Sequence, residues 1–130
     1  MVVIDTSIVL AVLLNEPSRV GIVKRTRGMR VLVAPSITWE VGNALVALVR
    51  RGHASHADIA RAWKSFGQIP LRVAACDVAA SLRLAIDHKL YAYDAYVIET
   101  ARAARTALMT LDDRQRAAAV ACGVGILEVN

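Results

Sequence analysis

The sequence has little cysteine and little histidine, with two and three of these residues in 130. Cys76 and Cys122 lie far apart and form no CxxC pair, so the pattern indicates neither a disulfide framework nor a zinc ribbon. We expect both cysteines to be buried as small apolar side chains. His53 and His56 are three residues apart, but too few further ligands accompany them for a zinc site. Solvated turn histidines are the expectation for this pair.

A long hydrophobic run is also missing, although 56% of the residues are hydrophobic and the mean hydropathy is +0.45. The longest uninterrupted apolar stretch, Ile8 to Leu14, is far shorter than the ~20 residues that span a bilayer. Asp5 interrupts the first apolar run, and no lysine or arginine precedes it, so a signal peptide is not indicated. We therefore expect a soluble, cytoplasmic protein with no membrane association, folded as a single domain over residues 1–130.

The glycine-rich phosphate loops GxxxxGK[ST] and GxGxxG are absent, which argues against a nucleotide-binding fold. Acidic residues are outnumbered: 11 Asp and Glu stand against 16 Lys and Arg, giving a net charge of +5 and a pI near 9.8. Thirteen of the cations are arginine, which forms forked contacts to phosphate. This balance favours an acidic partner such as nucleic acid, although a merely solvated basic surface has the same composition.

Short β-branched or aliphatic runs alternate with longer segments of helical period. The runs read as short buried strands at Val2–Ile4, Val31–Ala34, Leu71–Ala74, Ala107–Thr110 and Ile126–Val129. The helical segments are "PSITWEVGNALVALVRRG", "SHADIARAWKSFG", "DVAASLRLAIDHK", "YDAYVIETARAAR" and "DDRQRAAAVACG". This alternation predicts an α/β sandwich with a central, mostly parallel sheet of four or five short strands flanked by helices.

Acidic residues occur where such a sheet binds ligands, beyond the carboxyl ends of its strands. Asp5 follows the first strand, and Asp112 or Asp113 follows the strand "ALMT". Asp94 opens the helix that runs into that strand, and Glu40 lies in the first turns of the helix after the second strand. Each acid alone has an ordinary explanation, because Asp is a common N-cap and Glu is common on a wet helix face.

Taken together, four acids at one edge of a basic protein would repel one another, so a bound cation is expected there. Carboxylate oxygens without cysteine or paired histidine favour Mg²⁺ or Mn²⁺ over zinc. Such ions bridge to phosphate and activate water. The acids therefore predict metal-dependent hydrolysis of a phosphodiester.

Four segments, "VIDTS", "ITWEVGNAL", "YAYDAYVIETA" and "LMTLDD", resemble the PIN-domain ribonucleases, and specifically the VapC-type toxins of toxin-antitoxin systems. The resemblance covers essentially the whole chain. It implies a PIN-like, Rossmann-like three-layer sandwich and an endoribonuclease that cleaves RNA such as tRNA or rRNA with Mg²⁺ or Mn²⁺. It also implies a homodimer and a small cognate antitoxin, VapB-like, that covers the active site.

The same resemblance assigns the catalytic and metal-binding acids as Asp5, Glu40, Asp94 and Asp112. Asp112 is preferred over its neighbour because the family pattern reads Thr-x-Asp, with Thr110 as the threonine. The supporting residues that orient carboxylates or waters are expected to be Ser7, Asn43 and Thr110. Asp113, the second acid of the pair that follows Leu111, is a further candidate. The RNA-binding cations are expected to be Arg19, Arg25, Arg27, Arg114 and Arg116.

The high hydropathy predicts that another protein covers part of the apolar surface, with Val41 to Val49 and the stretch near Trp63 and Phe66 as candidates. Trp39 is expected in the core or at a dimer contact, with stacking on an unpaired base as the alternative. A haloacid-dehalogenase-like, Mg²⁺-dependent phosphatase is the enzymatic rival, although Ser7 stands where its motif needs an aspartate. The non-enzymatic alternative is a catalytically inactive PIN-like binding module.

Overall fold

The computed structural model describes residues 1–130 as four short strands and seven helices in alternation. The strands are β1 (Val2–Ile4), β2 (Val31–Val33), β3 (Arg72–Val73) and β4 (Leu108–Met109). The helices are α1 (Thr6–Leu13), α2 (Arg19–Thr26), α3 (Ile37–Arg50), α4 (His56–Phe66), α5 (Val78–His88), α6 (Ala92–Ala103) and α7 (Asp113–Ala121). The predicted α/β class, with a parallel sheet flanked by helices, is confirmed.

The sheet has the order β3-β2-β1-β4, and every pair of neighbouring strands is parallel. The expected fifth strand at 126–129 does not form, because its pairing is limited to a single bridge between Ile126 and Leu108. The first strand is therefore central: the chain leaves it for β2 on one side and returns to β4 on the other. This reversal creates a topological switch point between β1 and β4, where open α/β sheets bind their ligands.

Helices cover both faces of the sheet because strand residues point alternately to opposite sides. Val2 and Ile4 belong to a core shared with α1, α2, α3 and α4. Val3 lies between them and belongs to the other core, shared with α6 and α7. Both faces are buried, so the first strand reads as a continuous apolar run up to Asp5.

Local capping fixes the start of several helices. Asp5 caps α1, Asp77 caps α5 and Asp112 caps α7, and Ser55 forms a capping box with Asp58 at α4. By contrast, α3 and α6 begin without a side-chain cap. These two uncapped helices carry Glu40 and Asp94, and the Asp94 carboxylate is therefore not an N-cap.

Several expectations about burial were wrong. Arg72 and Val73 of β3 are exposed, whereas Leu108 and Met109 of β4, at the other edge of the sheet, are buried. Trp39 is 71% exposed and so is not a core residue. Cys76 and Cys122 are only half-buried. No helix combines the length and apolar character needed to cross a membrane.

Candidate active site

The four predicted acids are gathered by the way strands and helices alternate. In a parallel sheet each connecting helix runs back against the strands, so its N-terminus lies at the carboxyl edge. Asp5 follows β1 directly, and Asp112 follows β4 at the start of α7. Glu40 and Asp94 occupy the first turns of α3 and α6. All four acids therefore lie at the same edge of the sheet.

Asp5 is buried and held by three donors. Its Oδ1 accepts a hydrogen bond from Ser7 Oγ at 2.5 Å and from the Ile8 backbone N–H at 3.3 Å. Its Oδ2 accepts a short hydrogen bond from Thr110 Oγ1. The pairing of Ile4 with Met109 explains this contact, because the residues that follow each strand are then side by side.

These surroundings act on the pKa of Asp5 in opposite directions. Burial raises the pKa of this carboxyl above its ordinary value, because the charged form loses its hydration. Hydrogen bonds from Ser7, Thr110 and the Ile8 N–H lower the pKa, and the negative charge of Asp112 raises it. The net effect is an increase, so the site holds this charge at a cost in free energy.

Glu40 is partly buried one turn into α3. Its Oε2 accepts a hydrogen bond from Ser36 Oγ at 2.6 Å. Burial raises its pKa, the hydroxyls of Ser36 and Thr6 lower it, and the charges of Asp5 and Asp94 raise it further. The Thr6 hydroxyl lies close enough to act on this charge, yet it makes no full hydrogen bond of its own.

Asp94 is half-buried at the third position of α6. Burial raises its pKa, and the negative charges of Asp112 and Asp5 act in the same direction. Arg114, in the first turn of α7, lowers that pKa by supplying the opposite charge. The pKa of Asp94 is thus affected both by other carboxylates and by the Arg114 cation.

Asp112 is exposed and serves as the N-cap of α7. Its Oδ1 accepts from the backbone N–H of Arg114 at 2.9 Å, and its own N–H donates to Thr110 Oγ1 at 3.0 Å. Asp113 is the first residue of α7 and is also exposed. The charge of Asp112 reaches Asp5 and Asp94, whereas Asp113 contributes to none of the shifts at the other acids.

The four carboxylates therefore form one electrostatic group, which we name the acidic cluster: Asp5, Glu40, Asp94 and Asp112. No group of three or more His, Cys, Asp or Glu side chains in the chain has the geometry to hold a metal ion as it stands. The chemistry of the donors nevertheless fits a hard divalent cation, since every member offers carboxylate oxygen. Three members have raised pKa values, and a cation beside them would relieve both the repulsion and the lost hydration.

The expected supporting residues fall into two groups. Ser7 and Thr110 contact Asp5, and Ser7 Oγ also accepts from the Leu111 N–H at 2.9 Å, tying α1 to the loop after β4. Asn43 is exposed one turn beyond Glu40 and hydrogen-bonds none of the carboxylates. The structure therefore brings the two hydroxyls to the acidic cluster but leaves the Asn43 amide free.

The expected RNA-binding arginines are dispersed. Arg114 is the one whose charge acts on a member of the acidic cluster. Arg116 pairs with Glu128 and donates to the Thr110 carbonyl at 3.4 Å. Arg19 donates to Asn15, Arg25 to the Glu128 carbonyl, and Arg27 caps the end of α2. These last three have other partners or positions and do not join the acids.

Three residues near the acids had no functional interpretation from the sequence. The sequence indicates Ser36 only as a helix start, but its hydroxyl donates to Glu40 instead of capping α3. Their spacing of four residues is a signal that could have identified this pair. Thr6 gave no signal. Gln115 is 3% exposed, and its Nε2 donates to the Asp94 carbonyl at 3.3 Å, a contact between two helices that local pattern does not reveal.

Comparison with known proteins agrees with this arrangement. The family described as the PIN domain matches residues 2–121. The solved structures include the crystal structure of PAE2754 from Pyrobaculum aerophilum, which superposes with a TM-score of 0.74 at 23% sequence identity. The match covers 98% of this chain and 90% of that one. No curated protein matches by sequence. At this identity the structural match supports the fold alone.

Proposed function

The chain belongs to the PIN domain family, and on that premise we propose that it is a metal-dependent endoribonuclease of the VapC toxin type. PIN domains are generally metal-dependent nucleases. The observation that carries the proposal is the acidic cluster: four carboxylates lie at the switch point of the sheet, and three of them have pKa values raised by burial and by the charge of other members. A basic chain that concentrates acids there is suited to draw in a polyanion and hold a cation against it.

The acidic cluster would hold Mg²⁺ or Mn²⁺ through carboxylate oxygens. A bound divalent ion supplies two things in such a site: an acidified water and neutralisation of charge on the phosphodiester. The hydroxyls of Ser7 and Thr110 keep the Asp5 carboxylate in one orientation, and Ser36 does the same for Glu40. Arg114, beside Asp94, is placed to attract a phosphate toward the acids.

Cleavage assays test the proposal directly. Purified protein is incubated with a panel of tRNAs and rRNA in Mg²⁺, Mn²⁺ or EDTA, and the cut ends are mapped. We expect internal cuts with metal, none in EDTA, and none with Asp5→Asn. The matched control is Asp87→Asn, which changes an exposed acid near the end of α5 and should cut normally.

Other results would redirect the interpretation. Cutting that persists in EDTA would contradict the metal requirement. Release of phosphate from small phosphomonoesters with intact RNA would favour the phosphatase. RNA binding without any cleavage, in all three conditions, would favour an inactive PIN-like module.

We also propose a small antitoxin partner and a homodimer, as expected of a VapC-type toxin. A groove of about 640 Å³ lies between α3 and α4, and its apolar lining includes Val46, Val49, Ile59 and Trp63. These residues fall within the two stretches expected to contact another protein, while Val41 and Leu45 of α3 belong to the core. The groove is suited to an amphipathic helix of a partner.

Light scattering and expression tests examine the partners. We expect a dimer in solution and growth arrest when the active chain is produced alone. Asp5→Asn should abolish the arrest without changing the dimer. A strictly monomeric protein that is harmless in active form would contradict both parts of this proposal.

A further inference from the structure

A second pocket adjoins the acidic cluster and differs from it in chemistry. It has a volume of about 440 Å³ and five lining residues: Thr6, Trp39, Glu40, Asn43 and Tyr93. We name it the aromatic pocket. Its size is within the range of small-molecule and fragment sites. Glu40 belongs both to this pocket and to the acidic cluster, so a group bound here would lie against the acids.

The two aromatic residues of the pocket are unusually exposed. Trp39 is 71% exposed and Tyr93 is 53% exposed. Each directly precedes a member of the acidic cluster, Trp39 before Glu40 and Tyr93 before Asp94. The Tyr93 ring also packs edge-on against Tyr96, with ring centroids 5.7 Å apart, which restricts its orientation. Two helices thus present an aromatic ring beside an acid.

The polar groups of the pocket indicate what kind of ligand it can take. Asn43 offers an exposed amide with both a donor and an acceptor, whereas the Thr6 hydroxyl is buried and acts on Glu40. No lysine or arginine lines the pocket, and Glu40 makes it negative. A phosphate is therefore disfavoured inside it. A neutral, flat group with hydrogen-bonding edges fits these walls.

We propose that the aromatic pocket binds one unpaired nucleobase of the RNA, next to the phosphodiester held at the acidic cluster. This inference rests on the proposed function and deepens it. A base can stack on Trp39 or Tyr93 only when it is free of its own helix, so the pocket selects single-stranded or looped RNA. The exposed Asn43 amide supplies the contacts to the base edge.

Fluorescence isolates the pocket from catalysis. In a Trp63→Phe background Trp39 is the only tryptophan, because the chain has two. We expect saturable quenching on titration with a short single-stranded RNA in EDTA, and little with the same sequence as a duplex. Absence of quenching by single-stranded RNA, or equal quenching by single-stranded and duplex RNA, would overturn the proposal that the pocket binds a base.

Variants then connect the pocket to affinity and cleavage. Loss of one stacked base costs about 5- to 150-fold in affinity, so Trp39→Ala should weaken binding of single-stranded RNA within that range. Trp39→Phe should recover part of the loss, and Tyr93→Leu should lower affinity independently. Ile86→Ala is the control, since Ile86 is 77% exposed on α5 and lies outside both the pocket and the groove.

The outcomes separate this inference from the proposed function. Wild-type protein that cuts RNA while Trp39→Ala and Tyr93→Leu leave kcat/KM unchanged would overturn the pocket and leave the nuclease standing. Quenching by single-stranded RNA without metal-dependent cutting would support the pocket and overturn the nuclease. A rise in KM at nearly constant kcat for Trp39→Ala is the expected signature of a binding role.

Discussion

Asp5 performs two roles with one carboxylate. It caps α1 through the Ile8 N–H, and it is also the buried member of the acidic cluster. The hydroxyls of Ser7 and Thr110 hold its oxygens in place, yet burial still raises its pKa. Asp5 is thus a firmly held carboxylate whose burial costs stability in its charged form.

The first prediction concerns the pH dependence of stability. The pKa of Asp5 is raised on folding, so its contribution to stability is present at pH values below the ordinary aspartate range. That contribution is lost as pH rises through the folded-state pKa. Asparagine does not titrate. The free energy of unfolding of Asp5→Asn should therefore increase relative to that of wild type as pH rises from about 4 to 8. Urea denaturation in EDTA across this range measures the difference.

The control for this measurement is Asp87→Asn, which removes an exposed carboxylate outside the acidic cluster. A gap between wild type and Asp5→Asn that is constant with pH, or that shrinks toward pH 8, would contradict the raised pKa.

The second prediction concerns Thr110. Its hydroxyl donates to Asp5 and accepts from the Asp112 N–H, so Thr110→Val removes both contacts at nearly constant volume. Loss of a group that orients a metal ligand typically costs about 10- to 100-fold in activity or metal affinity. We expect such a fall in kcat/KM, with about 1–3 kcal/mol of destabilisation from the unpaired N–H. Thr110→Ser should retain most activity, and equal activity of Val and Ser would refute the role.

At the scale of elements, the acidic cluster depends on how helix starts are arranged around the sheet. The chain returns to β4 beside β1, and α6 and α7 therefore begin near each other. Gln115 connects them: its Nε2 reaches the Asp94 carbonyl in α6, and its backbone N–H points to Asp112 Oδ1 at 3.4 Å. Its Oε1 is buried without a partner. This glutamine positions two acids relative to each other.

The third prediction follows from that connection. Gln115→Met keeps the buried volume but removes the link to Asp94 and the unpaired oxygen, so stability should change little. Cleavage should fall by about 2- to 10-fold, the equivalent of one hydrogen bond. The cleavage rate of Gln115→Met is compared with that of Gln68→Met, a control at an exposed glutamine after α4. Identical rates for both variants, with unchanged melting temperatures, would exclude a positioning role.

At the scale of the whole molecule, a net positive charge coexists with a local concentration of negative charge. The chain carries a net charge of +5, while its acidic cluster gathers four of the 11 acids at one edge of the sheet. The apolar surface is divided as well, between the groove of α3 and α4 and single exposed side chains such as Ile86. The proposed RNA, cation and protein partner would therefore use different parts of one small surface.

The fourth prediction is that divalent metal stabilises the folded chain. An ion that binds the native state alone adds about 2.7 kcal/mol at a concentration 100 times its Kd. Mg²⁺ or Mn²⁺ should raise the melting temperature, and EDTA should reverse the effect. Asp5→Asn should remove most of the increase while Asp87→Asn keeps it. An increase of the same size in Asp5→Asn would show that the metal binds elsewhere.

The fifth prediction is that RNA binding weakens steeply with salt, as expected when arginines contact phosphates. Arg114→Gln should flatten the log-log salt slope by about one unit. Arg83→Gln, at an exposed position on α5, serves as the control and should leave the slope unchanged. Affinity that does not depend on salt would contradict a polyanionic substrate and favour a small one.

The sequence by itself was sufficient for the four strands, for the five helices from α3 to α7 and for the positions of the acids. Apolar runs bounded by Asp5 and Asp112 predict strands that end at charged residues, and this pattern depends only on neighbours along the chain. Strand ends and helix starts of a parallel sheet meet at one edge whatever the details of packing. The α/β class and the grouping of the four acids could therefore be predicted.

Tertiary structure decided what the local pattern does not encode. The contact of Thr110 with Asp5 joins residues 105 positions apart and depends on the register of β1 with β4. The link from Gln115 to Asp94 depends on how two helices pack, and the exposure of Trp39 depends on what lies beside α3. The segment 126–129 has the composition of a strand, yet only Ile126 finds a partner. Periodicity reports which residues can be buried, whereas distant neighbours determine which of them are.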